Sequence, residues 1–258
     1  RIIKSFTIDQ LEEIVQSALK SYRRWALLSS QWTEKRNLSL RQLSFPFEQY
    51  RNGQRPLAVA VYKTIRDKSR LFACAPTGIG KTMSTIFPGL KAMGENLTDK
   101  VFYLTAKTVT ASVAADAISI IYSKNPDIFL KTLTVTAKDK VCFLEKRKCD
   151  PIFCPYAKDY FDKVNDVVFD SISQNNVFSR DLITDIARKH SLCPYELTLD
   201  ISEWCDVIIC DYNYLFDPQA KLQRFFENRK GEYTFLIDEA HNLPDRAREM
   251  YSAQIDKK

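Results

Sequence analysis

The chain has 258 residues, 45% of them hydrophobic and 27% charged, which is enough apolar material for one large core or two modest ones and too much for a disordered chain. Its 38 Lys and Arg against 32 Asp and Glu leave a charge of +6, a mild excess that permits a nucleic-acid partner without demanding one. No apolar run reaches the ~20 residues of a membrane span, the opening RIIKSFTIDQ lacks the layout of a secretion signal, and seven cysteines are an odd number for a disulfide framework. The expectation is a soluble cytoplasmic protein, without a membrane partner, whose thiols serve packing or metal ligation.

Thr7 and Gln10 form a capping box. Behind it Leu11, Ile14, Val15, Ala18, Leu19, Tyr22, Trp25 and Ala26 recur at three-four spacing, the stripe of an amphipathic helix that packs on something. The charged segment QWTEKRNLSLRQL, residues 31–43, reads as a linker into the main domain. Strand-like runs then follow at Arg70–Ala75, Val101–Thr105, Thr132–Thr136, Val207–Cys210 and Tyr233–Asp238, separated mostly by helix-like segments. That alternation predicts an α/β fold with a mostly parallel sheet covered by helices. Neither an internal repeat nor a low-complexity tract interrupts it.

Between the first of these strands and a helix lies APTGIGKT, Ala75–Thr82, which matches the phosphate-binding loop except for Ala in place of the first Gly. Gly78 and Gly80 allow the tight turn that aims backbone N–H groups of the Thr77-Gly78-Ile79-Gly80 stretch at phosphate oxygens, with the following helix adding partial positive charge. Lys81 would reach the outer phosphates and the Thr82 hydroxyl would bind Mg2+. Cys74, beside the loop, is expected to be a small buried apolar residue. Near the other end, YTFLIDEAHNL places Asp238 and Glu239 where an apolar strand emerges into a loop. Asp238 would hold Mg2+ through its water shell, Glu239 would orient or deprotonate the attacking water, and His241 would sense the γ-phosphate. Together these residues indicate ATP hydrolysis.

With both motifs in one chain, the sequence resembles the first motor lobe of a superfamily 2 DNA helicase of the iron-sulfur group typified by XPD and DinG, from about Phe45 to Asp245. FPFEQYRNGQ resembles that family's aromatic-proline segment, which implies that Gln54 reads adenine. FYLTAKTVT resembles its DNA-backbone motif, implying contacts from Thr105, Lys107 and Thr108. CDVIICDYNYLFDP resembles the segment before the acidic motif, with Tyr212, Asn213 and Tyr214 at its centre and Tyr212 as a further DNA contact. The resemblance implies a RecA-like nucleotide-binding lobe in two parts, residues 44–137 and 206–258, after an N-terminal helical segment and linker at 1–43.

Cys142, Cys149, Cys154 and Cys193 all fall within residues 138–205. Four thiolates satisfy either tetrahedral zinc or an iron-sulfur cube, and no close C-x-x-C pair of zinc-ribbon type occurs. His190 could substitute as a ligand, whereas Cys205 and Cys210 flank an apolar strand and read as packing. The resemblance implies a 4Fe-4S cluster on the four cysteines, inserted at 138–205, whose loss would disorder residues 140–195. Lys138, Lys140, Lys146, Arg147, Lys148, Lys158 and Lys163, interleaved with Tyr156, Tyr160 and Phe161, suit the phosphates and bases of single-stranded DNA. The implied activity is ATP-driven 5'-to-3' movement on single-stranded or forked DNA by a monomer. A second RecA-like lobe, which this chain lacks, would complete the motor. The competing expectation is a zinc-stabilised ATP-binding switch acting on a protein partner.

Overall fold

The computed structural model describes residues 5–76, 78–106, 108–227 and 231–253, except for the side chains of 108–110. Helix α1, Ile8–Arg41, starts at the expected capping box: the Gln10 N–H donates to Thr7 Oγ1 at 3.2 Å and the Thr7 N–H to Gln10 Oε1 at 3.0 Å. It then runs for 34 residues, straight through the segment expected to be a linker. Two polar residues of this segment, Arg36 and Asn37, are buried with partners, while Glu34 and Lys35 stay exposed. Arg36 pairs with Asp206 at 2.8 Å and Asn37 donates to Asn96 at 2.6 Å. A buried ion pair satisfies a helix interior as an apolar contact would, and periodicity analysis does not detect it.

Two helices, α2 (Gln54–Arg66) and α3 (Lys81–Gly94), precede the first strand, β1 (Lys100–Thr105). After α4 (Thr108–Lys124) come β2 (Thr132–Thr134), the short α5 (Lys138–Val141), α6 (Tyr160–Gln174) and β3 (Val177–Phe178). Helices α7 (Arg180–His190) and α8 (Pro194–Ser202) lead to β4 (Val207–Asp211). Two single-turn helices, α9 (Asn213–Phe216) and α10 (Gln223–Phe226), precede β5 (Tyr233–Ile237), and a 3-10 turn at Ala240–Asn242 leads into α11 (Leu243–Met250).

The strands form one parallel sheet in the order β3-β2-β4-β1-β5. One face carries the end of α1 with α2, α3 and α4, around Leu40, Ile86, Leu90 and Ile121. The other face carries α6, α7 and α8, around Val164, Ile172, Ile183 and Leu197, which share a core with Phe102, Leu104 and Ile208 of the sheet. Burial on both faces is why the strands read as continuous apolar runs. At Gly94 a Cβ would lie 2.9 Å from the Arg41 backbone nitrogen, so glycine permits the close crossing of α1 and α3.

One expected strand is corrected. Arg70–Ala75 forms no strand, and Phe72 is 92% exposed. The segment is tied at its ends, by Lys68 to Glu232 at 2.7 Å and by the Ala75 carbonyl accepting from Lys81 at 3.2 Å. A short apolar run is a strand only where a ladder partner holds it, and here none of its amides enters a ladder. Cys74 on this segment is accordingly exposed, not buried.

Candidate nucleotide site

Parallel register brings the carboxyl ends of β1, β4 and β5 to one edge of the sheet, where α/β folds place their ligands. The glycine loop and the start of α3 meet that edge. Gly78 and Gly80 have φ of 85° and 86°, the left-handed conformations expected of them. A Cβ on Gly80 would also lie 2.5 Å from Gln54 Nε2. Gln54 is 2% exposed; it accepts from the Arg51 N–H at 3.0 Å and donates to the Gly80 carbonyl at 3.5 Å. Arg51 Nη1 donates to the Gly78 carbonyl at 2.6 Å. The segment before α2 therefore clamps the loop. Ile79 sits in this clamped turn, and Thr77 lies outside the described residues.

The acidic motif converges on the same place. Lys81 Nζ lies 3.8 Å from Glu239 Oε1, uniting residues 158 positions apart. Asp238 closes β5: its N–H donates to the Leu104 carbonyl at 3.0 Å, and its own carbonyl accepts from the Tyr212 hydroxyl. Burial, then the neighbouring Glu239, raises the Asp238 carboxyl above its ordinary range. Glu239 adopts a left-handed φ of 51°, which swings the chain sharply out of the strand. His241 Nδ1 is 3.4 Å from Glu239 Oε2 and largely exposed, so it reaches the site's rim through Glu239.

Sequence reasoning missed Tyr103. Its hydroxyl, buried in the middle of β1, is placed to donate to the Asp238 carboxylate and to accept from the Thr82 hydroxyl, 3.4 Å away. It thus joins the two residues expected to hold Mg2+. Burial, with Asp238 and Glu239 close by, keeps the phenol protonated well above its usual range. In the sequence Tyr103 is one more apolar-run aromatic; only the register of β1 beside β5 shows where its hydroxyl lands.

Two of the residues expected to contact DNA are buried in this structure. Tyr212 is 0% exposed and its hydroxyl bonds Asp238, so it is a strut beneath the acidic motif. Thr105 is also buried, at the end of β1. Lys107 lies outside the described residues, as does the side chain of Thr108. In the basic stretch, Tyr160 is buried and donates to Asp200 at 2.7 Å, Tyr156 is half-buried against Phe143, and Phe161 is 85% exposed. Lys138 pairs with Glu196 at 3.1 Å and Arg147 with Asp139, while the Lys148 ammonium lies 3.2 Å from the Phe153 ring centroid.

All seven cysteines are free thiols. Cys142 closes α5, Cys193 begins α8, Cys154 is buried and Cys149 exposed. Cys149 and Cys193 both lie within electrostatic reach of Lys138, and burial raises the Cys193 thiol. The donor chemistry therefore suits a thiolate-bound centre. Among the described residues, however, no three Cys, His, Asp or Glu converge closely enough to hold a metal ion. Cys205 and Cys210 are fully buried, as expected of packing residues.

The relatives fall in one group. A Fanconi anemia group J protein homolog from Gallus gallus is 39% identical over 75 residues, covering 29% of this chain and 6% of that protein. The general transcription and DNA repair factor IIH helicase subunit XPD of Schizosaccharomyces pombe is 30% identical over 97 residues, 38% of this chain and 12% of that one. Human regulator of telomere elongation helicase 1 aligns over 83% of this chain at 22% identity, using 21% of its own length. The chain thus spans a quarter or less of these relatives. Among solved structures, an XPD helicase has a TM-score of 0.54 at 20% identity over 79% of this chain and 34% of its own, and a truncated XPD has 0.52 at 21% identity over 75% and 54%. Both share the fold. The DEAD_2 family model matches residues 125–258, more than half of the sequence, and the chain belongs to the DEAD_2 family.

Proposed function

We propose that this chain is the ATP-binding first lobe of a DNA helicase, with ATP and Mg2+ held between the glycine loop and the acidic motif. The observation that carries the reading is the approach of Lys81 to Glu239, 3.8 Å, with Tyr103 spanning Thr82 and Asp238 beside it. A phosphate-reaching cation, two metal-binding oxygens and a candidate base lie at one strand edge, which is the equipment of nucleotide hydrolysis. Gln54 is fixed against Gly80 at the same end, and its reading of the adenine base is part of the proposal. Helicase relatives support single-stranded or forked DNA as the polymer acted on, and 5'-to-3' travel is part of the proposal. A second RecA-like lobe would supply the arginines for the transferring phosphoryl group, and the working unit is proposed to be a monomer.

The proposal includes a 4Fe-4S cluster on Cys142, Cys149, Cys154 and Cys193, supported by their being free thiols and by Lys138 beside Cys149 and Cys193. The cluster would tie these loops together as a rigid element. Anaerobic purification followed by iron and acid-labile sulfide analysis tests it; a colourless, zinc-loaded protein would return the switch-module reading. The helicase reading is tested by nucleotide binding and by ATPase measured with and without single-stranded DNA, on this chain and on a longer one containing a second lobe. Lys81→Ala should abolish ATP binding while leaving the circular dichroism unchanged. Unaltered ATP affinity in that variant would overturn the assignment.

A further inference from the structure

At the opposite end of the sheet from the glycine loop, the amino ends of β1, β2 and β4 and the docked half of α1 enclose a cavity of about 100 Å3. Its walls include Trp32, Arg36, Lys100, Lys131, Glu203 and Asp206. Asp206, 3% exposed, accepts from Arg36 Nη1 at 2.8 Å, Trp32 Nε1 at 3.1 Å and the Lys131 N–H at 2.7 Å. Glu203 shares its charge with Arg224 at 3.3 Å. Lys100 donates to the Glu203 and Cys205 carbonyls.

Lys131 is different. The residue is 4% exposed, its ammonium lies 2.8 Å from the Trp32 ring centroid, and it donates to no acceptor among the described residues. Arg36 donates through Nε to Asn37 and through Nη1 to Asp99 and Asp206, which leaves Nη2 without an acceptor among the described residues. Three cations, Arg36, Lys100 and Lys131, therefore line the space against the carboxylates of Asp206 and Glu203, the latter shared with Arg224. Burial lowers the Lys131 pKa only to about 8, so the ammonium persists at neutral pH. The Asp206 carboxylate offsets part of the cost of burying this cation, and a strong acceptor held in the cavity would offset more.

We propose that this cavity is a small-anion site, which takes one phosphate-sized inorganic anion on Lys131 Nζ and Arg36 Nη2 and so pins α1 to the base of the sheet. The volume suits one such ion, being that of about three molecules of liquid water. Charge-assisted hydrogen bonds from two partly desolvated cations are the interaction that fixes it. The site is separate from the proposed nucleotide site and stands whether or not that reading does.

The chain carries a built-in reporter, because its three tryptophans all lie at this junction: Trp32 and Trp204 line the cavity, and Trp25 stacks on Trp204 at 4.5 Å. The experiment titrates sodium phosphate against tryptophan fluorescence and Tm at constant ionic strength. Sodium gluconate, too bulky for the cavity, is the balancing salt, and the Lys81→Ala background silences the glycine loop. A saturable fluorescence change with a rising Tm is expected, and Lys131→Gln should weaken the apparent affinity about tenfold or more. Should that variant fail to fold, Arg36→Lys, which keeps the Asp206 ion pair but lacks Nη2, must weaken it as well. No saturable response, or an undiminished one in the folded variants, would overturn the site and leave ordered water as the partner of Lys131.

Discussion

The Tyr103 hydroxyl is the least obvious part of the proposed nucleotide site. It touches both Thr82 and the Asp238 carboxylate, so its removal leaves two metal-binding oxygens without their common tether. The neutral hydrogen bond to Thr82 alone is worth about 1 kcal/mol, which sets the minimum effect. Tyr103→Phe should accordingly raise the Mg2+ concentration for half-maximal ATPase about fivefold or more, with metal-free nucleotide affinity unchanged. A parallel loss of metal-free affinity would show that the ring only supports the fold. Asp238 is held at a cost, since its carboxyl is raised by burial and by Glu239. For an acid raised in the folded state, stability falls as pH climbs from the unfolded to the folded pKa and stays lowered above it. Asp238→Asn should therefore abolish hydrolysis while stabilising the fold on the order of 1 kcal/mol at neutral pH. That gain should disappear in acid, where both side chains are neutral; denaturant melts across pH measure it.

At the scale of elements, α1 is two objects in one helix. Its second half is fastened by Arg36 to Asp206 and by Trp25 against Trp204 and Phe169. Its first half exposes Leu11, Ile14, Val15, Leu19 and Tyr22, so the stripe that predicted packing lies on solvent in this chain. Hydrophobic spacing reports that a surface is apolar, not what covers it. Deleting residues 1–20 should change unfolding free energy by less than about 1 kcal/mol, because that turn-by-turn structure frays independently of the core. Arg36→Met should cost about 3 kcal/mol or more, since it strands a buried carboxylate. Equal costs for the two changes, read by chemical denaturation, would contradict this division. The missed linker has the same origin: Glu34, Lys35 and Arg36 look solvated in a string of letters, and only the fold reveals that Asp206 awaits one of them.

At the scale of the molecule, the parts legible in the sequence were those with local signatures. The alternation of apolar runs specified a parallel sheet, and GKT and DEAH marked residues that the strands bring to within 3.8 Å. What long-range register decides stayed hidden: the Tyr103 bridge, the burial of Tyr212 and the lack of a ladder for Arg70–Ala75. The stretch 138–205 shows the difference. Four cysteines and a basic run suggest an insertion that would collapse from 140 to 195 without its cluster. Yet β3 pairs with β2 in the main sheet, and Val164, Ile172, Ile183, Leu197 and Ile201 share a core with Phe102 and Ile208. Helices held by that much apolar burial do not depend on a metal-bound loop. Removing the proposed cluster, by chelation or by Cys154→Ser, should therefore raise amide hydrogen exchange between residues 142 and 158 and leave α6, α7 and α8 protected. Exchange that spreads through Ile183 and Leu197 would mean that the inorganic centre, and not the shared core, organises this half of the sheet.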